Sequence, residues 1–278
     1  MSTGCKLSII TINYNNADGL RNTLNSVMLQ EKVFFEHVIV DGASTDDSVK
    51  IIKDYITSIN NKKAYKNIQV RWVSETDSGI YNAMNKGIKM AEGEYLLFLN
   101  SGDVLVNSRV VSEFCLGSYS SEIISGIQQM SSGVFVYPPK EENLTYSYFY
   151  DNTLMHQATF ISRNAFEKYG MYDESYRIVS DWEWFFKVII IHTASYEIID
   201  LVVSMFDETG ISRSKELDTK HDLERFRVRN SVLPRLFYDY NELKRLQGVE
   251  KEFTFLLNGK LGWIVRVFLF LKKIVNNK

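Results

Sequence analysis

The chain has 278 residues, of which 45% are hydrophobic and 24% are charged. This composition predicts a large buried core and excludes disordered and collagen-like chains. The net charge is −2 and is unevenly spread: residues 1–215 carry more acidic than basic side chains, whereas 216–278 carry more basic than acidic ones. An acidic main body argues against a nucleic-acid-binding protein. We therefore expect a globular domain at 1–215 and a basic extension at 216–278.

The cysteines and the apolar runs limit the cellular setting. Cys5 and Cys115 lie in unrelated contexts without metal-ligand spacing, so neither a zinc site nor a disulfide framework is expected. The first apolar run is too short for a secretory signal, and no run of eighteen apolar residues predicts a membrane-spanning helix. These features favour a reducing, cytoplasmic setting.

The first hundred residues alternate apolar runs with segments of helical period, which is typical of βαβ units. Such units form a mostly parallel α/β sheet with helices on both faces. Between 118 and 153 the pattern weakens, and we expect loops and short strands added to the sheet edge; the final sixty residues have helical character. The predicted strands are 7–13, 36–41, 68–74, 95–99 and 196–205, and the predicted helices are 18–31, one capped by residues 44–47, 80–91, 164–169 and 182–191.

Polar residues follow the first four predicted strands. Because the carboxyl ends of parallel strands share one edge, where an open α/β sheet binds its ligand, we expect the carboxylates of Asp41, Asp77 and Asp103 to converge there. Three such carboxylates repel one another unless a cation or hydrogen-bond donors lie between them, and a divalent metal with a nucleotide would serve. Asp46, Asp47 and Ser78 are interpreted as turn or cap residues.

The phosphate-binding signatures of other nucleotide folds are missing from the sequence. Residues 13–18 read NYNNAD where a dinucleotide fold would carry Gly-x-Gly-x-x-Gly, and no P-loop follows any predicted strand. A nucleotide diphosphate would then be neutralised by metal and by basic side chains such as Lys86.

With these motifs in place, the chain resembles the glycosyltransferase family 2 enzymes of the GT-A fold. The likeness covers residues 7 to about 190, and SETDSGIYNAMNKGI followed by NSGD is similar to the branch found in bacterial capsule and polysaccharide gene clusters. It implies inverting transfer of a sugar from a nucleotide diphosphate to a hydroxyl acceptor, with a donor half at 1–103 and an acceptor half at 104–215. The matching segments are SIITINYNNADGLRNTLNSV, VIVDGASTDDSVKII, VSETDSGIYNAMNKGIKMAEGEYLLFLNSGD, MHQATFISRNAFEKYGMYDESY and SDWEWFFKV.

The resemblance also implies roles for residues in the donor half. Asp41 would face the base, Asp77 would lie beside the base or ribose, and Asp103 matches the last carboxylate of the family's metal-binding stretch. The usual Asp-x-Asp run has become NSGD here, so Mg²⁺ or Mn²⁺ would rely on Asp103, the diphosphate and water. The other residues implied to hold the donor are Thr11, Asn13, Asn15, Asn85, Lys86 and Asn100.

In the acceptor half the resemblance assigns the general base to Asp181, with Glu183 as a second candidate. Inverting displacement needs such a carboxylate, because the acceptor hydroxyl must lose its proton as the new bond forms. Asp181 could instead cap the helix that follows it. His156 and Gln157 are placed on the acceptor or phosphate side. Trp182 and Trp184 could stack on a sugar, with core packing as the alternative for Trp184.

Several alternatives remain open at this stage. A nucleotidyltransferase would also use carboxylates and Mg²⁺, but it would need a glycine-rich basic loop after the first strand, and the sequence lacks one. A catalytically silent nucleotide-sugar binding module is the other alternative. The basic, apolar segment 254–278 could lie on the inner face of a membrane, next to lipid-linked acceptors, or could pack as a helix on the domain or on a second subunit.

Overall fold

The computed structural model describes residues 6–31, 33–62, 65–206 and 218–258. Strands and helices alternate through the first hundred residues as the sequence pattern predicts, and the remaining strands follow with shorter helices between them. The strands are β1 Leu7–Asn13, β2 Phe35–Asp41, β3 Ile68–Ser74, β4 Tyr95–Phe98, β5 Val104–Leu105, β6 Ile123–Met130, β7 Phe135–Val136, β8 Thr159–Ser162 and β9 Tyr196–Phe206. The helices are α1 Ala17–Met28, α2 Ser48–Asn61, α3 Ile80–Met90, α4 Val110–Leu116, α5 Tyr146–Asp151, α6 Arg163–Tyr169, α7 Ser180–Phe186, α8 Asp218–Val232 and α9 Pro234–Asn258.

The strands of the described residues form one mixed sheet in the order β3-β2-β1-β4-β8-β6-β9-β5, with β7 paired to β6. The pairs among β3, β2, β1 and β4 are parallel, and so is β6 with β9. Strand β8 is antiparallel to both of its neighbours. The expected mostly parallel α/β architecture is confirmed, and the carboxyl ends of β1 to β4 lie along one edge.

The strands β1 and β2 are buried along their whole length, which explains why their sequences read as nearly continuous apolar runs. Helix α3 packs closely on this sheet at Gly87. A Cβ atom at position 87 would lie 2.4 Å from the Cγ2 atom of Ile10, a separation that packed carbon atoms do not tolerate. Glycine at this point therefore sets how near α3 lies to β1, and with it the position of the side chains at the start of α3.

The prediction of edge loops between 118 and 153 differs from the structure, because β6 is an interior strand between β8 and β9. Its sequence, IISGIQQM, is interrupted by polar residues that are nonetheless buried. Ser125 is hydrogen-bonded to Thr159 at 3.0 Å, and Gln128 donates to Gln157 at 3.2 Å. These partners sit on neighbouring elements, so an apolar count along the chain could not reveal the strand.

The C-terminal part divides from the rest within α8. The two compact units are Met1–Arg225 and Phe226–Lys278, whereas the sequence placed the division at 215/216. The described helix α9 extends to Asn258, and the remainder of the 254–278 segment lies outside the described residues. Within the described part of the chain, no helix is long and apolar enough to span a membrane.

Candidate active site

The ends of the first three strands are in register. Asn13 pairs with Asp41 across β1 and β2, and Asp41 pairs with Ser74 across β2 and β3. The Nδ2 atom of Asn13 donates to Oδ1 of Asp41 at 2.8 Å, and the Ser74 hydroxyl donates to Oδ2 at 2.7 Å. The loop after β2 adds Ser44, whose amide donates to Oδ2 at 3.0 Å and whose hydroxyl donates to Oδ1 at 2.6 Å.

Asp41 is therefore fully occupied by protein donors, and its exposed fraction is 0%. A carboxylate with four hydrogen bonds has filled its acceptor positions. In this arrangement Asp41 holds the ends of the strands together and has no carboxylate oxygen left to accept a hydrogen bond from a nucleotide base. The Oδ1 atom of its neighbour Asn13 is different, because it is buried without a hydrogen-bond partner among the described residues, and a buried amide oxygen of that kind calls for a donor.

Asp77 lies against the same edge and is only partly buried. Its Oδ2 atom would be 2.5 Å from a Cβ atom at position 42, so the glycine that follows Asp41 makes this approach possible. Its Oδ1 atom accepts the amide of Gly79 at 3.0 Å. The structure thus brings Asp41 and Asp77 to adjoining positions, and Asp77 is the more accessible of the two. Asn15 is exposed on the neighbouring loop, where its Oδ1 atom accepts the amide of Thr45 at 2.8 Å.

Three predicted donor residues have their side chains engaged within the protein. Thr11 is fully buried and hydrogen-bonded to the Nε2 atom of His37 at 3.0 Å. Asn85 donates to the Tyr172 carbonyl and to Glu174, and accepts the Tyr172 amide; it fastens the 172–174 loop to α3. The Lys86 ammonium lies 2.8 Å from both the Thr76 carbonyl and the Glu75 carboxylate.

The loop after β4 carries Asn100 and Asp103 and is held by α1. The Thr23 hydroxyl accepts the Gly102 amide at 2.9 Å and lies 2.7 Å from the Asp103 carbonyl. Asp103 is 4% exposed. The Asn100 side chain extends toward His156, and its Nδ2 atom lies 3.3 Å from Nε2 of that residue. The Oδ1 atom of Asn100 is buried without a hydrogen-bond partner among the described residues.

These groups bear on the expected divalent metal. Within the described residues, no group of three or more His, Cys, Asp or Glu side chains is arranged to hold a metal ion. A site in which such side chains supply most of the metal ligands is therefore not present in that part of the chain. The Asp103 carboxylate and the unpartnered Asn100 oxygen are on one short loop, and oxygen ligands suit Mg²⁺ and Mn²⁺. The loop therefore fits a metal that is held mainly by the donor's phosphates and water.

Asp181 lies in the first turn of α7 and is held on both carboxylate oxygens. Oδ1 is 2.8 Å from the Tyr81 hydroxyl, and Oδ2 is 2.9 Å from Nδ1 of His156. Because the Asn100 amide is placed to donate to Nε2 of His156, the imidazole proton is assigned to Nδ1, which then donates to Asp181. The side chain of Asp181 remains 15% exposed, so solvent or a ligand can reach it.

The pKa values of two carboxylates on this helix are shifted in opposite directions. Burial by itself raises the pKa of Asp181, but the hydrogen bonds from His156 and from the Tyr81 hydroxyl outweigh it, so the pKa falls below its ordinary value. Burial raises the pKa of Glu183, despite an opposing ion pair with Lys187 at 2.9 Å. Asp181 is therefore the ionised and accessible carboxylate, which suits a general base, and Glu183 is committed to its lysine.

Two predicted acceptor-side residues belong to the core. Trp182 is 2% exposed, its indole nitrogen donates to the Phe149 carbonyl, and its ring stacks on Phe186 at 5.8 Å. Its position leaves no ring face for a sugar, so the structure does not support the stacking interpretation for Trp182. Gln157 is also buried and accepts from Gln128, while the adjacent His156 points to Asp181.

Sequence reasoning missed Tyr81, which contacts Asp181, and two charged groups, Arg177 and Glu224, that hold neighbouring loops. Tyr81 occupies a buried helical position that reads as core. The Arg177 guanidinium is exposed and donates to the Ser78 carbonyl at 2.9 Å, close to Asp77. Glu224 of α8 accepts the amides of Arg177 and Ile178, each at 2.9 Å.

Comparison with known proteins identifies the family of the chain. The family model described as "Glycosyl transferase family 2" matches residues 8–113. An uncharacterised glycosyltransferase of Mycobacterium tuberculosis is 30% identical over 222 residues, which cover 78% of this chain and 80% of the relative. Bacillus subtilis TuaG, which carries the name of a teichuronic acid biosynthesis glycosyltransferase, is 29% identical over 156 residues, covering 54% of this chain and 58% of TuaG.

Two solved structures share the fold at low identity. Staphylococcus aureus TarS 1-349 in complex with UDP-GlcNAc is 21% identical with a TM-score of 0.59, over 76% of this chain and 61% of TarS 1-349. The mannosyltransferase PcManGT of Pyrobaculum calidifontis, in complex with GDP-Man and Mn²⁺, is 15% identical with a TM-score of 0.56, over 74% of this chain and 58% of PcManGT. The chain thus spans about three fifths of these structures. It has the GT-A fold, belongs to glycosyltransferase family 2 and is a glycosyltransferase.

Proposed function

We propose that this enzyme transfers a sugar from a nucleotide-diphosphate sugar to a hydroxyl acceptor with inversion, and that Asp181 is the general base. The observation that carries the proposal is the accessible carboxylate of Asp181, fixed between Tyr81 and His156 and kept ionised by them. In the reaction, the acceptor O–H bond breaks as its proton passes to Asp181, the acceptor oxygen bonds to the anomeric carbon, and the nucleoside diphosphate leaves with the electrons of the broken C–O bond.

The donor would occupy the edge formed by the ends of β1 to β4. The partly buried Asp77 and the exposed Asn15 would provide polar groups for a nucleoside there. The UDP and GDP sugars bound by TarS and PcManGT support a nucleoside-diphosphate donor. The fixed Asp41 would support this surface through Asn13 and Ser44 without touching the base itself.

The divalent metal is part of the same proposal. Asp103, with Asn100 beside it, would hold Mg²⁺ or Mn²⁺ together with the phosphates, and the metal would neutralise the charge of the departing diphosphate. The presence of Mn²⁺ in the PcManGT complex supports this assignment. Lys86 is paired with Glu75, so it would stabilise the Glu75–Asp77 loop and would not contact the phosphates directly.

The product belongs, in this proposal, to a bacterial cell-surface polysaccharide. The support is the similarity to TuaG and to the PGL/p-HBAD biosynthesis glycosyltransferase of Mycobacterium bovis, which is 28% identical over 206 residues. A lipid-linked acceptor would place the enzyme at the inner membrane face. The basic, apolar 254–278 segment would then supply peripheral contact with anionic lipid.

Asp181→Asn tests the base assignment, with Glu183→Gln as the matched control on the same helix. We expect the Asn variant to lose at least a hundredfold in transfer, the lower range for removal of a general base, while its affinity for UDP or GDP stays within twofold. The Gln control should keep most of its activity. Transfer that survives in Asp181→Asn would refute the base assignment, and a parent protein that binds nucleotide but turns over no donor would be a silent binding module.

Asp103→Asn addresses the metal separately. Binding of UDP and GDP is measured by thermal shift with and without Mn²⁺. We expect the parent to gain nucleotide affinity with Mn²⁺ and the variant to lose most of that gain, because one carboxylate ligand is removed. If nucleotide binding is equally strong without metal, or if the variant keeps the full Mn²⁺ effect, Asp103 is not a metal ligand.

A further inference from the structure

The Tyr81 hydroxyl stands between two acceptors and has a single proton to give. It lies 2.8 Å from Oδ1 of Asp181 and 2.6 Å from the carbonyl oxygen of Ile178. A phenol can donate one hydrogen bond at a time at full strength, but its oxygen can also accept one. Donation to Ile178 therefore leaves the Tyr81 oxygen as an acceptor toward Asp181, and donation to Asp181 leaves the carbonyl without that bond.

The two orientations match the two protonation states of the base. When Asp181 is ionised, the Tyr81 proton is best placed on the carboxylate, because a hydrogen bond to a charged acceptor is the stronger one. Once Asp181 has taken the acceptor's proton, the Tyr81 hydroxyl can turn to Ile178 and accept from the protonated acid. No heavy atom has to move, since both distances are already those of hydrogen bonds.

The phenol itself stays protonated throughout. Tyr81 is 4% exposed, and burial together with the charge of Asp181 raises the pKa of its hydroxyl far above the ordinary value. The titratable groups that face Asp181 are Tyr81 from α3, His156 from the turn before β8 and Tyr172 from the loop before α7. Glu183 and Lys187 pair with each other on α7.

We infer that Tyr81 is a positioning residue for the general base, whose hydroxyl turns between Asp181 and the Ile178 carbonyl as Asp181 loses and gains the acceptor's proton. This inference rests on the proposed role of Asp181. It assigns to α3, an element of the donor half, control over the protonation of a base in the acceptor half. His156 holds the other carboxylate oxygen, so the orientation of the base is determined from two sides.

The chain contains a close control in Tyr172. Its ring packs 5.7 Å from that of Tyr81 and is buried, and burial together with the charge of Asp181 raises the pKa of its hydroxyl. Its hydroxyl, however, has no hydrogen-bond partner among the described residues. Replacing either tyrosine by phenylalanine removes one buried hydroxyl near the base, and only Tyr81→Phe removes a hydrogen bond to it.

The test compares the pH profiles of kcat/KM for the parent, Tyr81→Phe and Tyr172→Phe. Loss of a hydrogen bond to the carboxylate should raise the acid limb of Tyr81→Phe by about one pH unit, since a bond to a charged group has about that strength. We also expect kcat to fall about tenfold, with the donor KM unchanged. Tyr172→Phe should show the parent's profile. Identical profiles for the two variants would overturn the inference.

Two further measurements keep the outcomes distinct. If Asp181→Asn still transfers sugar, the base assignment fails, and the role of Tyr81 fails with it. If Asp181→Asn is inactive and Tyr81→Phe behaves like Tyr172→Phe, only the Tyr81 role fails.

Should Tyr81→Phe not fold, 3-fluorotyrosine at position 81 keeps the packing and makes the hydroxyl a stronger hydrogen-bond donor. The acid limb should then move to lower pH, and an unchanged limb would count against the inference.

Discussion

We expect a buried histidine on β2 to make the stability of the fold sensitive to acid. His37 on β2 is fully buried, with Nε2 bonded to Thr11 at 3.0 Å and Nδ1 bonded to Tyr55 at 2.8 Å. Burial lowers its pKa to about 3. The neutral imidazole fits this site, because one ring nitrogen donates and the other accepts. Protonation would place an uncompensated charge between two hydroxyl groups in the core.

The magnitude follows from the difference between the folded and unfolded pKa values. Between pH 6.5 and pH 3 the unfolded chain binds a proton at His37 and the folded chain does not, so stability rises with pH in this window. The contribution is complete above pH 6.5 and is lost as the pH falls. At about 1.36 kcal/mol per pH unit, the step from pH 7 to pH 5 should cost about 2 kcal/mol of unfolding free energy through this residue.

His37→Gln removes the titration and keeps a side chain that can bond to both Thr11 and Tyr55. Urea unfolding of the parent and the variant is followed by tryptophan fluorescence at pH 7 and pH 5, where Trp72 reports on the strand next to β2. We expect the variant to lose about 2 kcal/mol less than the parent between these two values. His192→Gln, at an exposed histidine, is the control. Equal losses in the parent and His37→Gln would refute the buried neutral histidine.

Two other predictions concern the C-terminal region. Glu224→Ala should lower the free energy of unfolding by about 1–3 kcal/mol and reduce kcat, because the amides of Arg177 and Ile178 lose the carboxylate that accepts from them. Urea unfolding and initial rates measure the two effects. Effects no larger than those of Asp222→Ala on the same helix would contradict the prediction. Deletion of residues 259–278 should reduce cosedimentation with anionic vesicles while transfer to a soluble acceptor continues; undiminished cosedimentation would exclude that segment as the membrane contact.

The sequence was most informative for strands and helices in which the same burial pattern continues from one end to the other. The buried strands β1 and β2 and the amphipathic helices between them were predicted to within a few residues, because their apolar periodicity is uninterrupted. The strand β6 was missed, since Ser125 and Gln128 satisfy their polar groups through partners on other elements. Trp182 could not be separated from a sugar platform by sequence, because its burial depends on Phe149 and Phe186.

For the site residues, too, some properties could be predicted from the sequence and others could not. The resemblance placed Asp41, Asp77, Asp103 and Asp181 at strand and helix ends, where the structure also has them, because chain position alone decides which end of a strand a residue occupies. It could not show which oxygens are already used. Only the three-dimensional arrangement shows that Asp41 accepts four protein hydrogen bonds, and that Asp181 accepts its bonds and still reaches the solvent.

The position of Asp181, the proposed base, connects it to the region that the family model matches. The family model ends at residue 113, whereas Asp181 lies well beyond it, so the matched region contains the donor edge without the base. Both groups that are hydrogen-bonded to Asp181 are nevertheless connected to the matched region. Tyr81 lies within it on α3, and His156 is bonded to Asn100, which follows β4 in the matched region. Displacement at the anomeric carbon requires the base and the leaving diphosphate to lie on opposite sides of the sugar. Anchors on the donor half would maintain that alignment even where the acceptor half changes shape to suit another acceptor.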